Sequence, residues 1–125
     1  MEDRQAPLDG RRILVIEYEF FIADELARQL SQAGAEVIGP CATLEAARAT
    51  IEAEEGVDLV LLDLNLGGRF TYEVIDQLQE RRVPVVLATG YDCEVVAAPY
   101  RDLPRFQKPV TGPHLIRTLT ALLHA

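Results

Sequence analysis

The stretch Val57-Asp58-Leu59-Val60-Leu61-Leu62-Asp63 is apolar throughout except for a carboxylate at its entry and another at its exit. A short apolar run with no polar alternation is how a strand reads when both of its faces are buried, as in a parallel sheet. The same reading applies upstream to Ile13-Leu14-Val15-Ile16 and downstream to Pro84–Ala88. Two weaker strands are expected, a short one at Glu36–Gly39 and a poor one by pattern at Leu103–Gln107.

Helical patterns lie between the strands. Over Glu19–Ala33, Ile22, Leu26 and Leu30 recur at four-residue spacing beside Ala23 and Ala27, and Gly34 ends the helix. Thr43 is placed to cap a second helix carrying Leu44, Ala47 and Ile51 inward and Glu45 and Glu54 outward, closed by Gly56. After a loop with two glycines, Asp63–Arg69, a third helix is expected over Phe70–Arg81, with Phe70, Val74 and Leu78 on one face. Asp92–Arg101 holds Pro99, so any helix there is short or irregular. The last helix is expected from Thr111 to about His124, with Leu115, Leu119 and Leu122 spaced for packing. Strands alternating with helices predict a five-stranded parallel sheet, doubly wound, of the α/β class.

Composition narrows the function classes. The chain has 125 residues and is 49% hydrophobic, enough for one packed domain and too apolar for a disordered chain. No run reaches the length of a membrane span, and Met1–Gly10 lacks the pattern of a secretory signal. These ten residues read as a mobile tail, with the folded domain over residues 11–125 and the cytoplasm as the expected compartment. The net charge of −8 argues against a nucleic-acid partner and suits solubility or a basic protein partner. Cys41 and Cys93 make neither a disulfide framework nor a zinc site and read as reduced thiols. His114 and His124 read as helix-surface residues.

In an open α/β sheet the site lies beyond the carboxyl ends of the strands. Glu17, Tyr18 and Glu19 follow the first strand, Asp63 the third, Thr89 the fourth, and Lys108-Pro109 the fifth. Carboxylates, a hydroxyl and an ammonium thus converge on one edge. That set suits phosphoryl transfer to a carboxylate, in which an Asp acts as nucleophile and a cation and donors hold the transferred group. Neighbouring carboxylates suit Mg²⁺, a hard ion with oxygen ligands. Taken alone, each residue has a plainer reading: Asp63 as a loop boundary, Thr89 as a turn residue before Gly90, Lys108 as a surface lysine. Gly67-Gly68 reads as a turn, since it lacks the Lys and Ser/Thr of a phosphate-binding loop.

Leu61-Leu62-Asp63, Thr89 and Lys108-Pro109, in that order, resemble the receiver domains of two-component response regulators, over about Arg11 to Leu123. Pro84-Val85-Val86-Leu87-Ala88-Thr89-Gly90-Tyr91 further resembles the motif of the FAT GUY single-domain receivers. Leu62–Gly68 and Val37–Pro40 are similar to that group too. The resemblance implies a flavodoxin-like sheet of order 2-1-3-4-5 and a cis Lys108–Pro109 peptide. It implies Asp63 as phosphoacceptor, Glu17, Asp63 and the Asn65 backbone carbonyl around Mg²⁺, and Thr89 and Lys108 on the phosphoryl group. It also implies a histidine kinase of the HWE or a related class, or a histidine phosphotransferase, as donor. Output would come by protein–protein contact or by draining phosphate, from a monomer or weak dimer that is not an enzyme beyond its own phosphorylation and dephosphorylation.

Two residues depart from the family pattern. Tyr18 stands where the family has a metal-binding Asp, and a phenol is neutral at pH 7 and a poor Mg²⁺ ligand. Weakened Mg²⁺ binding is expected, with Tyr18 either a neutral loss or a replacement that hydrogen-bonds Asp63. Arg105 stands where many receivers carry a switching aromatic; Phe106 falls on the opposite face, and Tyr91 is the candidate substitute. A pseudo-receiver that works without phosphorylation is the alternative. A nucleotide-binding protein is disfavoured because no glycine-rich loop follows the first strand. A phosphatase is disfavoured because Asn65 lies where a second acid would be.

Overall fold

The computed structural model describes residues 6–90, 96–110 and 112–124. Five strands, β1 (Arg12–Ile16), β2 (Glu36–Cys41), β3 (Leu59–Asp63), β6 (Val85–Thr89) and β7 (Arg105–Gln107), form one sheet in the order β2-β1-β3-β6-β7. Every pairing in it is parallel. The expected doubly wound sheet and its strand order are therefore both present.

Alternation along each strand divides the core in two. Leu14 and Ile16 of β1 face α2 (Leu44–Ala53) and α3 (Tyr72–Glu80), packing with Ile51, Val74 and Leu78. Ile13 and Val15 face α1 (Phe20–Gln32) and α4 (Gly112–Leu123), packing with Leu26, Leu30, Leu115 and Leu119. β3 and β6 are buried at every position, as their sequences require. Thr43 caps α2 as expected, its side chain accepting a hydrogen bond from the Ala46 N–H.

Four expectations are corrected. The third helix begins at Tyr72, because Phe70 belongs to a small antiparallel hairpin of β4 (Asn65–Leu66) and β5 (Arg69–Phe70). Gly67 and Gly68, at φ +62° and +98°, make the two-residue turn that pairs these strands. Phe70 is consequently exposed, and Ile75 joins Val74 and Leu78 on the buried face. At the other end of the chain Leu122 is exposed, and Leu123 packs on the core in its place.

The third correction concerns strand bounds: the expected third strand, Val57–Leu62, begins two residues later, at Leu59, and ends one later, on Asp63 itself. The fourth concerns the expected tail. Residues 6–10 fold back on the domain: Leu8 is fully buried, its N–H donates to the Ala33 carbonyl at 2.8 Å, and Gly10 N–H donates to Gly34. Gly34, at φ +100°, permits this, since a Cβ there would lie 2.8 Å from the Ala6 Cβ. Asp92–Arg101 lies partly outside the described residues; its described part holds a 3₁₀ turn, Ala98–Tyr100, in keeping with an irregular segment. Cys93 and Thr111 also lie outside them, and Cys41 is a buried free thiol.

Leu8→Ala should destabilise the domain by roughly 2–5 kcal/mol, the range for a fully buried leucine. Urea unfolding measures it; a change under half a kilocalorie would mean that residues 6–10 are dispensable to the fold.

Candidate functional site

Parallel strands bring their carboxyl ends to one edge of the sheet. There Lys108 Nζ lies 2.9 Å from Glu17 Oε1 and donates hydrogen bonds to Glu17 Oε2 at 3.1 Å and Asp63 Oδ2 at 3.2 Å. Glu17 follows β1 and Lys108 follows β7, so the lysine reaches across the ends of β6 and β3. The other oxygen of Asp63, Oδ1, accepts the Asn65 N–H at 3.2 Å. Glu17 Oε2 also accepts the Glu19 N–H at 3.1 Å, while the Glu19 side chain is exposed at the cap of α1. Thr89 is buried at the end of β6, and its carbonyl accepts the Lys108 N–H at 2.9 Å. The Lys108–Pro109 peptide is cis, as is Gly39–Pro40.

The electrostatics follow from burial. Desolvation pushes the Glu17 carboxyl up; hydrogen bonds from Lys108 and the Glu19 N–H oppose this, and the Asp63 charge adds to it. For Lys108, burial works against the charge. The hydrogen bond to Glu17 and the attraction of Asp63 and Glu17 together outweigh it, so its pKa is raised. The lysine is held as a cation between two carboxylates at neutral pH.

No cluster of three or more His, Cys, Asp or Glu suited to a metal exists among the described residues. Mg²⁺ needs less, since it is commonly bound by one or two carboxylates, retained waters and substrate phosphate. Glu17 Oε1 is buried and accepts no hydrogen bond, even though Lys108 makes an ion-pair contact with it. A buried carboxylate oxygen with a free lone pair beside a second carboxylate fits such an ion.

Tyr18 does not hydrogen-bond Asp63. The residue is 55% exposed, and its ring lies on Gly67, where a Cβ would fall 2.6 Å from Cε1. Arg105 sits on β7 with its guanidinium bonded to the Arg101 carbonyl, away from the carboxylates. Phe106 is buried on the far face, its ring edge-on to the exposed His114 at 5.2 Å. Tyr91 lies outside the described residues.

Thr71 is a site residue that the sequence reading missed. Fully buried, it donates its hydroxyl to the carbonyls of Asp63 at 2.9 Å and Leu64 at 3.0 Å, closing the loop that leaves β3. A Thr just ahead of a helix is the one hint the sequence offers, and it suggests an ordinary N-cap. A ladder of rings is also new: Phe70 stacks on Tyr72 at 5.5 Å and Tyr72 on Tyr100 at 4.7 Å. Tyr72 Oη accepts the Ala97 N–H at 2.9 Å, and Tyr100 Oη donates to Asp76 at 2.8 Å.

A family model described as the response regulator receiver domain matches residues 13–118. The chain belongs to that family. Receiver domains are signalling modules of two-component systems rather than enzymes. Among solved structures, SdrG from Sphingomonas melonis Fr1 is 36% identical, with 90% of this chain and 96% of that one covered at a TM-score of 0.78. The BeF3-activated conformation of SdrG from Pseudomonas melonis Fr1 is 33% identical, with 95% and 98% covered at 0.77. A CheY-like receiver from Methanospirillum hungatei JF-1 is 25% identical, with 91% and 94% covered at 0.80. The response regulator PhyR from Brucella abortus, 24% identical, shares the fold over 95% of this receiver and 50% of its own length, at 0.80. Among proteins with curated descriptions, none matches this receiver.

Thr71→Val keeps the shape and removes the donor. It should cost about 1–3 kcal/mol, because the Asp63 carbonyl loses the hydroxyl donor, while the Leu64 carbonyl keeps the Thr71 N–H at 2.9 Å. Thermal unfolding reads the loss; an unchanged midpoint would show that water takes the place of the hydroxyl.

Proposed function

We propose that this receiver accepts a phosphoryl group on Asp63 and signals through protein contact. The observation that carries the reading is Lys108 held between Glu17 and Asp63 at the end of the sheet. An Asp63 oxygen attacks phosphorus, and the bond to the donor breaks. A phosphohistidine leaves as imidazole, and acetyl phosphate leaves as acetate. Lys108 and Thr89 would hold the new anion. Glu17, Asp63 and the Asn65 carbonyl would hold Mg²⁺, which would offset charge on the phosphoryl oxygens; with Tyr18 in place of an acid its binding would be weak.

Similarity to SdrG, solved also in a BeF3-activated conformation, supports this reading. So does the Pro84–Tyr91 motif, on which we place the chain in the FAT GUY subgroup. The donor would then be a histidine kinase of the HWE or a related class, or a histidine phosphotransferase, in the cytoplasm. Phe20 and Phe21 support a protein partner: both are exposed, edge-on at 5.4 Å, at the start of the helix that follows Glu17. Beside them a hollow of about 270 Å³ is lined by Phe21, Ile22, Leu26, Lys108 and Val110.

Output would be a population shift in the segment after Thr89. With Arg105 committed elsewhere, the packed route from Asp63 runs through the hairpin to Phe70, Tyr72 and Tyr100. One observation favours a second reading, a pseudo-receiver: the metal-binding position carries Tyr18, whose ring is turned onto Gly67.

Intact mass after incubation with acetyl phosphate, with and without Mg²⁺, tests the acceptor. A single phosphoryl adduct is expected in the wild type and none in Asp63→Asn. A wild type that stays unmodified by acetyl phosphate and by a phosphorylated kinase would leave the pseudo-receiver. Adding BeF3 should also move the NMR shifts of residues 97–101; unchanged shifts there would sink the proposed output.

A further inference from the structure

We infer that Tyr18 is a positioning residue for phosphoryl acceptance, acting through the Asn65–Phe70 hairpin. The inference rests on Asp63 being the acceptor and concerns how its carboxylate is aimed. Oδ2 is held by Lys108, and Oδ1 is held by the Asn65 N–H. Asn65 is in turn fixed by the turn that follows it, its side-chain carbonyl accepting the Gly68 N–H at 2.6 Å. Leu66 and Gly67 lie between them, and the Tyr18 ring lies against Gly67.

The contact is close enough to require glycine. An added Cβ on Gly67 would fall 2.6 Å from Tyr18 Cε1 and 2.9 Å from Cζ, and the φ of +62° independently disfavours a side chain there. The ring therefore covers the bare backbone of the turn and joins the loop after β1 to the loop after β3. A hairpin with two-residue strands is marginal by itself. With Phe70 stacked on Tyr72 at its base and Tyr18 on its tip, it is held at both ends. A short carboxylate at position 18 could not reach across in this way. Tyr18 thus replaces a metal ligand with an apolar clasp that aims Asp63 Oδ1 through Asn65.

Three chains compared in parallel test this: wild type, Tyr18→Ala and Tyr18→Phe. Two readouts are taken, the rate of acetyl phosphate labelling by intact mass and the amide NMR signals of Asn65, Gly67 and Gly68 without any donor. Because Tyr18 is largely exposed, the unfolding midpoint should be the same in all three. The clasp predicts roughly tenfold slower labelling in Tyr18→Ala, since small misplacements of a reacting group are costly. It also predicts shifted or broadened hairpin amides there, and wild-type behaviour in Tyr18→Phe, which keeps the ring. Wild-type labelling and unchanged amides in Tyr18→Ala would overturn it, leaving Tyr18 as only a lost ligand. A Tyr18→Phe protein as slow as Tyr18→Ala would also overturn it, since the hydroxyl would then be the active part. If the wild type takes no phosphoryl group the acceptor reading fails by itself, and the amide signals still decide whether the clasp exists.

Discussion

One ammonium holds the site together. Two carboxylates buried side by side repel each other and resist desolvation, and Glu17 shows the strain in its raised pKa. Lys108 makes the arrangement tolerable by bonding to both. It can do so only if β1, β3, β6 and β7 run the same way and end at the same level. A slip of one residue in any strand would turn its terminal side chain to the other face. The parallel register and the two-sided apolar core that fixes it are the conditions for this one contact.

The legible part of the molecule was what repeats. β3 and β6 are apolar on both faces, and a run of that kind can be read without knowing its neighbours. Glu17, Asp63 and Thr89 were legible because each follows such a run; Lys108 follows a strand poor by pattern, β7, and was legible by its place after the last strand, from which topology carries it to the same edge. What stayed hidden depends on single residues. Leu8 is one apolar side chain in a polar stretch, with no period to announce that it is core. Phe70 sits four residues before Val74, as a helix position would, but the turn at Gly67-Gly68 claims its backbone first. Thr71 falls inside the helix expected over Phe70–Arg81, and its hydroxyl instead points back to Asp63 and Leu64. Leu122 has helical spacing but stands at the end of α4, where Leu123 covers the core.

The small hairpin after Asp63 is where several of these hidden features meet. Its tip carries the Tyr18 ring, and its base begins the stack of Phe70, Tyr72 and Tyr100. The ring separations fall in the range in which aromatic pairs attract beyond their buried area. Tyr72 and Tyr100 then bind the segment after Thr89 to α3 through Ala97 and Asp76. The loop that follows Asp63, the proposed acceptor, and the segment proposed to respond are therefore in contact through side chains of the α3 side. The strand carrying Arg105 is not needed for that contact.

The same hairpin bears on what Tyr18 does to the charge of the pocket. Glu17 and Asp63 together with Lys108 leave one net negative charge at the strand ends. An acid at position 18 would have added another. A phosphoryl group carries about −1.5 to −2 and, on a carboxylate, replaces the −1 already there, so the pocket would become more negative and every other standing carboxylate would raise the cost of accepting it unless a metal offsets the charge. A neutral side chain at that position removes a ligand and lowers that cost in one step. On the proposed reading, a pocket that relies less on a metal to balance charge relies more on fixed geometry to aim the Asp63 carboxylate. An aromatic ring laid on a glycine of the adjoining turn supplies geometry without charge, which is why a tyrosine there is more than the absence of an aspartate.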